Sequence, residues 1–64
     1  MIVNGEKMSF EYDMTVEELL NKLKLNSSKV VVEVDMDIIP KQQYSIKKMS
    51  SNSKVEIIQF VGGG

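Results

Sequence analysis

The first twelve residues carry the alternation of apolar and polar side chains that is typical of a half-buried strand. Met8, Phe10 and Tyr12 alternate with polar neighbours, and the pair Asn4-Gly5 interrupts the segment before them. Because Asn-Gly readily supplies the positive φ of a two-residue hairpin turn, residues 1–12 are predicted to form two strands joined at this pair.

The next segment changes to the period of a helix. Four apolar residues between Met14 and Leu25 share the spacing i, i+3, i+4 and i+7 of one helical face. These are Val16, Leu19, Leu20 and Leu23. Thr15 and Glu18 have the spacing of a capping box, which places the helix start at Thr15, and Asn26 is a residue able to end the helix.

The second half of the chain returns to strand patterns. Val30, Val31, Val32 and Val34 form a β-branched run that predicts a third strand, and the segment from Lys54 to Val61 predicts a last strand. Ile38-Ile39-Pro40 predicts a short edge strand, because proline cannot donate to a sheet ladder. A single helical turn is predicted near Gln42-Gln43-Tyr44, between this edge strand and the last strand.

This order of elements predicts an α+β fold in which one helix packs across one face of a mixed sheet, with the first and last strands as neighbours. The arrangement is the ubiquitin-like β-grasp. We expect one monomeric domain over residues 1–61 and a flexible glycine tail at residues 62–64. The helix stripe is expected to pack on five strand residues: Ile2, Phe10, Val32, Val55 and Ile57.

Composition removes several kinds of function. The 64 residues contain no cysteine and no histidine, which excludes thiolate nucleophiles, imidazole bases and the commonest metal ligands. We therefore expect no metal site and no bound cofactor. Eight lysines against nine acidic residues give a net charge of −1, which disfavours nucleic-acid binding. Apolar runs are too short for a membrane span or a signal peptide, so a cytoplasmic location is expected.

The tail Gly62-Gly63-Gly64 is the feature that packing does not explain, because glycine adds no side-chain contacts and loses the most entropy on ordering. A frayed end or a cloning remnant is one interpretation. A functional tail is the other, since Gly62 and Gly63 can thread a narrow channel and leave the terminal carboxylate as the reactive group. Adenylation by ATP on a partner enzyme would activate that carboxylate, and the domain would be a carrier rather than an enzyme.

The last strand also predicts a docking surface. Val55 and Ile57 face the core, so Ile58 and Phe60 are expected on the opposite face, forming an exposed apolar patch that continues through Val61 into the tail. The alternative is a bulge near the strand end that buries Phe60.

These features together resemble the sulfur carrier family of thiamine biosynthesis, ThiS, over the whole chain. The matching segments are residues 2–5, the helix start at residues 15–20, the stretch from Val32 to Lys41, and residues 55–64, of which the last is the most specific. The chain departs from the family at Asp35-Met36, where Asn-Gly is frequent, and at Ser51-Asn52-Ser53. Met36 is poorly suited to the positive φ that such a turn requires.

The resemblance implies a chemistry and a set of partners. Gly64 would be adenylated by an E1-like (ThiF-like) enzyme that uses ATP. It would then receive sulfur from a cysteine-derived persulfide donor and deliver its thiocarboxylate to thiazole synthase (ThiG-like). Two alternatives stay open: a carrier like the small subunit of molybdopterin synthase, and a ubiquitin-like protein modifier or interaction module.

Overall fold

A five-stranded mixed sheet forms the centre of the molecule, with the last strand in its middle. The computed structural model describes residues 1–10 and 12–60. The strands are β1 (Ile2–Val3), β2 (Glu6–Lys7), β3 (Met14–Thr15), β4 (Val30–Val34), β5 (Asp37–Ile38), β6 (Lys48–Met49) and β7 (Lys54–Gln59). The sheet order is β2-β1-β7-β4-β5, and β3 pairs with β6 in a separate two-stranded sheet. The pairing of β1 with β7 is parallel, so the predicted β-grasp arrangement is confirmed.

The one α-helix among the described residues, α1 (Val16–Lys22), starts where the sequence predicts. Thr15 accepts a bond from the Glu18 backbone N–H at 3.1 Å, and the Glu18 carboxylate accepts from the Thr15 N–H at 2.8 Å. This reciprocal pair satisfies two donors that the first helical turn cannot satisfy itself. The Thr15 backbone N–H also holds the pKa of the Glu18 carboxyl below its usual value.

The helix end differs from the prediction, because Asn26 does not close it. Leu23 is the C-terminal cap, and Lys24 follows it with a φ of +59°. The Leu25 N–H reaches back to the Leu20 carbonyl at 2.9 Å, which completes a Schellman motif with a lysine at the position that glycine usually occupies. Asn26 caps the 3₁₀ turn Ser27–Lys29 instead, through the Ser28 N–H.

The core joins the helix to the sheet as predicted in most positions. Val16, Leu19 and Leu20 are fully buried, and Leu23 and Phe10 pack partly buried against them. The buried residues of the five-stranded sheet are Val3, Val30, Val32, Val34, Val55 and Ile57. Ile2 was expected in the core and is 38% exposed, because only one side chain of the two-residue β1 can face inward, and Val3 takes that place.

Two further differences concern short segments. The predicted second strand reaches residue 12, whereas β2 ends at Lys7. The pairing of β3 with β6 was not predicted, and it brings Met14 and Met49 together in the core. The helical turn forms at Lys41–Gln43, close to its predicted position, and the edge strand β5 also forms.

No helix in the part of the chain that the structure describes is long and apolar enough to cross a membrane. The predicted boundary between a domain at residues 1–61 and a tail at 62–64 stays a prediction, since residues 61–64 lie outside the described ranges.

Candidate docking surface and carrier terminus

β7 presents two faces of opposite character. Val55 and Ile57 face α1 and are 0% and 7% exposed, whereas Ile58 and the following Phe60 are 53% and 57% exposed. The pairing of β7 with β4 is continuous from Val55 to Gln59, so no bulge turns Phe60 into the core. Two of the three predicted docking residues, Ile58 and Phe60, therefore lie exposed on the sheet face opposite α1, here called the far face, and the third, Val61, lies outside the described residues. Their role in docking stays a prediction.

Neighbouring strands add apolar area to this surface. Val31 lies directly opposite Ile58 in the pairing of β4 with β7, and it is half-buried. Ile38 of β5 is 68% exposed and lies opposite Glu33, which shares the parity of Val31. We call these four residues, Val31, Ile38, Ile58 and Phe60, the far-face patch. Val31 and Ile38 were not predicted to join this surface, because the strands that carry them reach it only through the order of strands in the sheet.

Two carboxylates lie within the same face. Glu33 and Glu56 are direct cross-strand partners, and both are half-buried. Like charges placed opposite one another on a sheet destabilise the pairing, so a cationic group brought by a partner would relieve the repulsion. The far face is therefore suited to a surface that combines apolar and basic side chains.

Asn4 follows β1 and contacts β7 from that side, opposite to β4. Its backbone N–H donates to the Val55 carbonyl at 2.9 Å, as expected for a parallel ladder. Its side-chain Oδ1 then accepts from the Ile57 N–H at 2.7 Å, and its Nδ2 donates to the Ile57 carbonyl at 3.2 Å. From the sequence, Asn4 was predicted only as a turn residue. Its contact with Ile57 could not be predicted, because the two residues are 53 positions apart in the chain.

Asp35 makes a related contact at the start of the same strand. Its N–H donates to the Lys54 carbonyl at 2.8 Å, and its Oδ1 accepts from the Lys54 N–H at 2.9 Å. Asp35 and Met36 have φ values of +51° and +74°. The turn thus keeps the positive φ angles that a type I′ hairpin requires, although Met36 is not a residue that favours them.

The predicted chemistry falls on residues outside the described ranges. Val61, Gly62, Gly63 and Gly64 follow Phe60 directly in the sequence. The Phe60 N–H donates to the Lys29 carbonyl at 3.0 Å. Within residues 1–10 and 12–60, no group of three acidic, histidine or cysteine side chains is placed to hold a metal ion.

One helix packed on a mixed sheet, with the C-terminal strand at the sheet centre, defines a ubiquitin-like β-grasp domain. The family model described as "ThiS family" matches residues 1–64. The chain therefore belongs to the ThiS family.

Individual relatives agree with this assignment. The chain is 33% identical over 63 residues to the sulfur carrier protein ThiS of Bacillus subtilis, covering 97% of this chain and 96% of that protein. It is 42% identical over 64 residues to a thiazole synthase of Paramagnetospirillum magneticum, of which it spans only 20%. The crystal structure of a thiamine biosynthesis protein, ThiS, from Geobacter metallireducens superimposes with a TM-score of 0.83 at 27% identity, covering 98% and 96% of the two chains.

Proposed function

We propose that this chain is a sulfur carrier of thiamine biosynthesis whose C-terminal Gly64 bears the sulfur. The observation that carries the proposal is the family match over residues 1–64, which includes the glycine tail. The exposed far-face patch that leads into the tail supports it, because a carrier must present a docking surface beside its reactive end. The chain is then a co-substrate of other enzymes rather than an enzyme.

The chemistry follows from the inertness of a carboxylate. The Gly64 carboxylate attacks the α-phosphate of ATP on an E1-like enzyme, and pyrophosphate leaves. A persulfide sulfur derived from cysteine attacks the resulting acyl adenylate, and AMP leaves. A thiol then attacks the donor-side sulfur and cleaves the sulfur–sulfur bond. This step leaves a thiocarboxylate on Gly64 and a disulfide between the donor cysteine and that thiol.

The acceptor that we propose is thiazole synthase. One relative bearing that name contains, over a fifth of its length, a segment 42% identical to this chain. Carrier-like and synthase portions joined in one polypeptide are held at high effective concentration, which is useful when they react with each other. For two separate chains, the far-face patch would have to supply the corresponding affinity.

The direct test is the intact mass of the protein after incubation with ATP, the E1-like enzyme and a persulfide donor. We expect the mass change of one oxygen-to-sulfur exchange. Deleting Gly64 moves the reactive carbonyl by up to about 3.5 Å, and a misplacement of about 1 Å can cost a hundredfold in rate. Loading of the deletion variant should collapse while its thermal midpoint stays unchanged. Gly63→Ala should also impair loading, because it adds a Cβ in the channel.

Loading of the Gly64 deletion variant at the wild-type rate would show that Gly64 is not the sulfur-bearing residue. Covalent conjugates to lysines of other proteins would instead identify a ubiquitin-like modifier.

The docking role has its own test. Phe60→Ala should raise the KM for the carrier in the activation reaction and leave the thermal midpoint nearly unchanged. Tyr12→Ala is the matched control, because Tyr12 is a similarly exposed aromatic residue that precedes β3 of the small sheet. An equal effect of the two substitutions on KM would contradict docking through Phe60.

A further inference from the structure

The side chain of Asn4 makes hydrogen bonds to β7 that the backbone of a longer β1 would make. The main-chain register of β1 with β7 covers only Lys54 and Val55, because the chain turns away at Asn4-Gly5. If the parallel ladder continued, the backbone carbonyl of Asn4 would accept from the Ile57 N–H, and the N–H of residue 6 would donate to the Ile57 carbonyl. The Asn4 carboxamide stands in for these two groups, accepting at 2.7 Å and donating at 3.2 Å.

The contact matters because of where it lies along β7. Ile57 is the last core-facing residue of the strand, and Ile58 is the first residue of β7 that belongs to the far-face patch. Beyond Ile57, β7 pairs with β4 through Ile58 and Gln59. Asn4 therefore fixes the strand from the β1 side at the boundary between its core segment and its exposed segment.

The Asn4 side chain holds both the backbone N–H and the backbone carbonyl of Ile57. This contact fixes which face of the sheet each of the following side chains occupies. Side chains alternate strictly between faces in a strand, so a slip or bulge of one residue near Ile57 would turn Ile58 and Phe60 toward the opposite face. An amide can prevent this better than a hydroxyl or a carboxylate, because it offers a donor and an acceptor in the geometry of a peptide group.

We propose that Asn4 is a positioning residue for activation of the carrier: its carboxamide holds Ile57, which sets the orientation of Ile58 and Phe60 toward the activating enzyme. This inference rests on the proposed carrier function. Asn4 touches no reacting atom, so its loss should affect recognition of the carrier more than the chemical step.

The test separates the turn role of Asn4 from its contact with β7. Asn4→Gly keeps the positive φ of +50° accessible and removes both side-chain bonds. Asn52→Gly is the matched control, since it adds the same glycine flexibility in an exposed turn before β7. Hydrogen exchange by NMR should show a loss of protection of about tenfold or more at the Ile57 amide of Asn4→Gly, with the Ile39 amide unchanged.

Activation is followed as pyrophosphate release with the E1-like enzyme and ATP. For Asn4→Gly we expect the KM for the carrier to rise about fivefold or more with kcat within about twofold of wild type, the pattern of lost binding rather than lost chemistry. Asn52→Gly should match the wild type in both constants. If Asn4→Gly does not fold, Asn4→Asp takes its place with an expected rise of about twofold or more, because aspartate tolerates positive φ but cannot donate to the Ile57 carbonyl.

A KM within twofold of wild type in the folded Asn4→Gly variant, despite an exposed Ile57 amide, would overturn the proposal and leave Asn4 a purely structural residue. A wild-type chain that releases no pyrophosphate would overturn the carrier function itself. The two failures are therefore distinguishable.

Discussion

Two hairpin turns flank the central strand, and they use the same backbone conformation with different residues. Asn4-Gly5 joins β1 to β2, and Asp35-Met36 joins β4 to β5. All four residues have positive φ, between +50° and +84°. In each turn the first residue also reaches β7 with its side chain: Asn4 bonds Ile57, and Asp35 bonds Lys54.

The difference lies in what each turn contributes. The first turn has glycine where φ is most positive and an amide that bonds β7 as donor and acceptor, close to the exposed end of the strand. The second turn has a strained methionine and a carboxylate that only accepts, at the first residue of the strand. The same turn geometry thus bonds β7 beside its exposed residues Ile58 and Phe60 in one case and at its first residue in the other.

The largest effect is expected for Asn4→Ala. Alanine at positive φ costs about 1 to 2 kcal/mol, and two lost hydrogen bonds add about 0.5 to 1.5 kcal/mol each, so a loss of about 2 to 5 kcal/mol is expected. Urea denaturation would measure it, with Asn52→Ala as the control at an asparagine outside the positive-φ set. A loss below about 1 kcal/mol would show that the contact with Ile57 contributes little to stability.

Gly5→Ala tests the conformational part of the first turn alone. An added Cβ would meet no atom within 4 Å, so the cost is backbone strain at a φ of +84°, about 1 to 2 kcal/mol. Gly5→Asn should cost less, because asparagine adopts positive φ more readily. Equal denaturation midpoints for Gly5→Ala and wild type would mean that the turn changes its conformation without penalty.

Met36→Gly should stabilise the protein by about 0.5 to 1 kcal/mol. Relief of strain at a φ of +74° outweighs the added flexibility of the unfolded chain. Met36 is 87% exposed, so little apolar contact is lost. Thermal and urea denaturation would measure the gain, and a destabilised variant would reveal a role for the methionine that its exposure does not show.

Asp35→Asn is expected to have the smallest effect, about 0.5 kcal/mol or less, because the amide oxygen still accepts from the Lys54 N–H. The KM of the activating enzyme for the Asp35→Asn carrier should equal its KM for the wild-type carrier. A rise in KM like that expected for Asn4→Gly would show that both turns govern docking, and the distinction between them would fail.

The parts that sequence predicts well are those whose signal is local. Thr15 and Glu18 lie three residues apart, and their spacing alone defines the helix start. The helix end was missed because a Schellman motif with Lys24 at its left-handed position leaves no residue-type signal, whereas Asn26 offers a misleading one. Strands of two residues, such as β3 and β6, are too short to show a period.

The same limit applies to the candidate site. Alternation along the last strand predicted Ile58 and Phe60 on the exposed face, and the continuous pairing with β4 excludes the alternative of a bulge that buries Phe60. Val31 and Ile38 join them only through the strand order, and the Asn4 carboxamide reaches Ile57 across 53 residues. Such contacts depend on the assembled sheet, so local pattern can identify the residue but not its partner.

The central position of β7 has a consequence for how the protein is made. Because synthesis proceeds from the N-terminus, the strand that joins β1 to β4 is the last of the seven to be produced, and the five-stranded sheet cannot form before it. A chain interrupted before β7 would lack the strand that joins β1 to β4 and the buried side chains of Val55 and Ile57, and cellular proteases remove incompletely folded species. Folding thus selects for chains in which the strand leading to the glycine tail is already present.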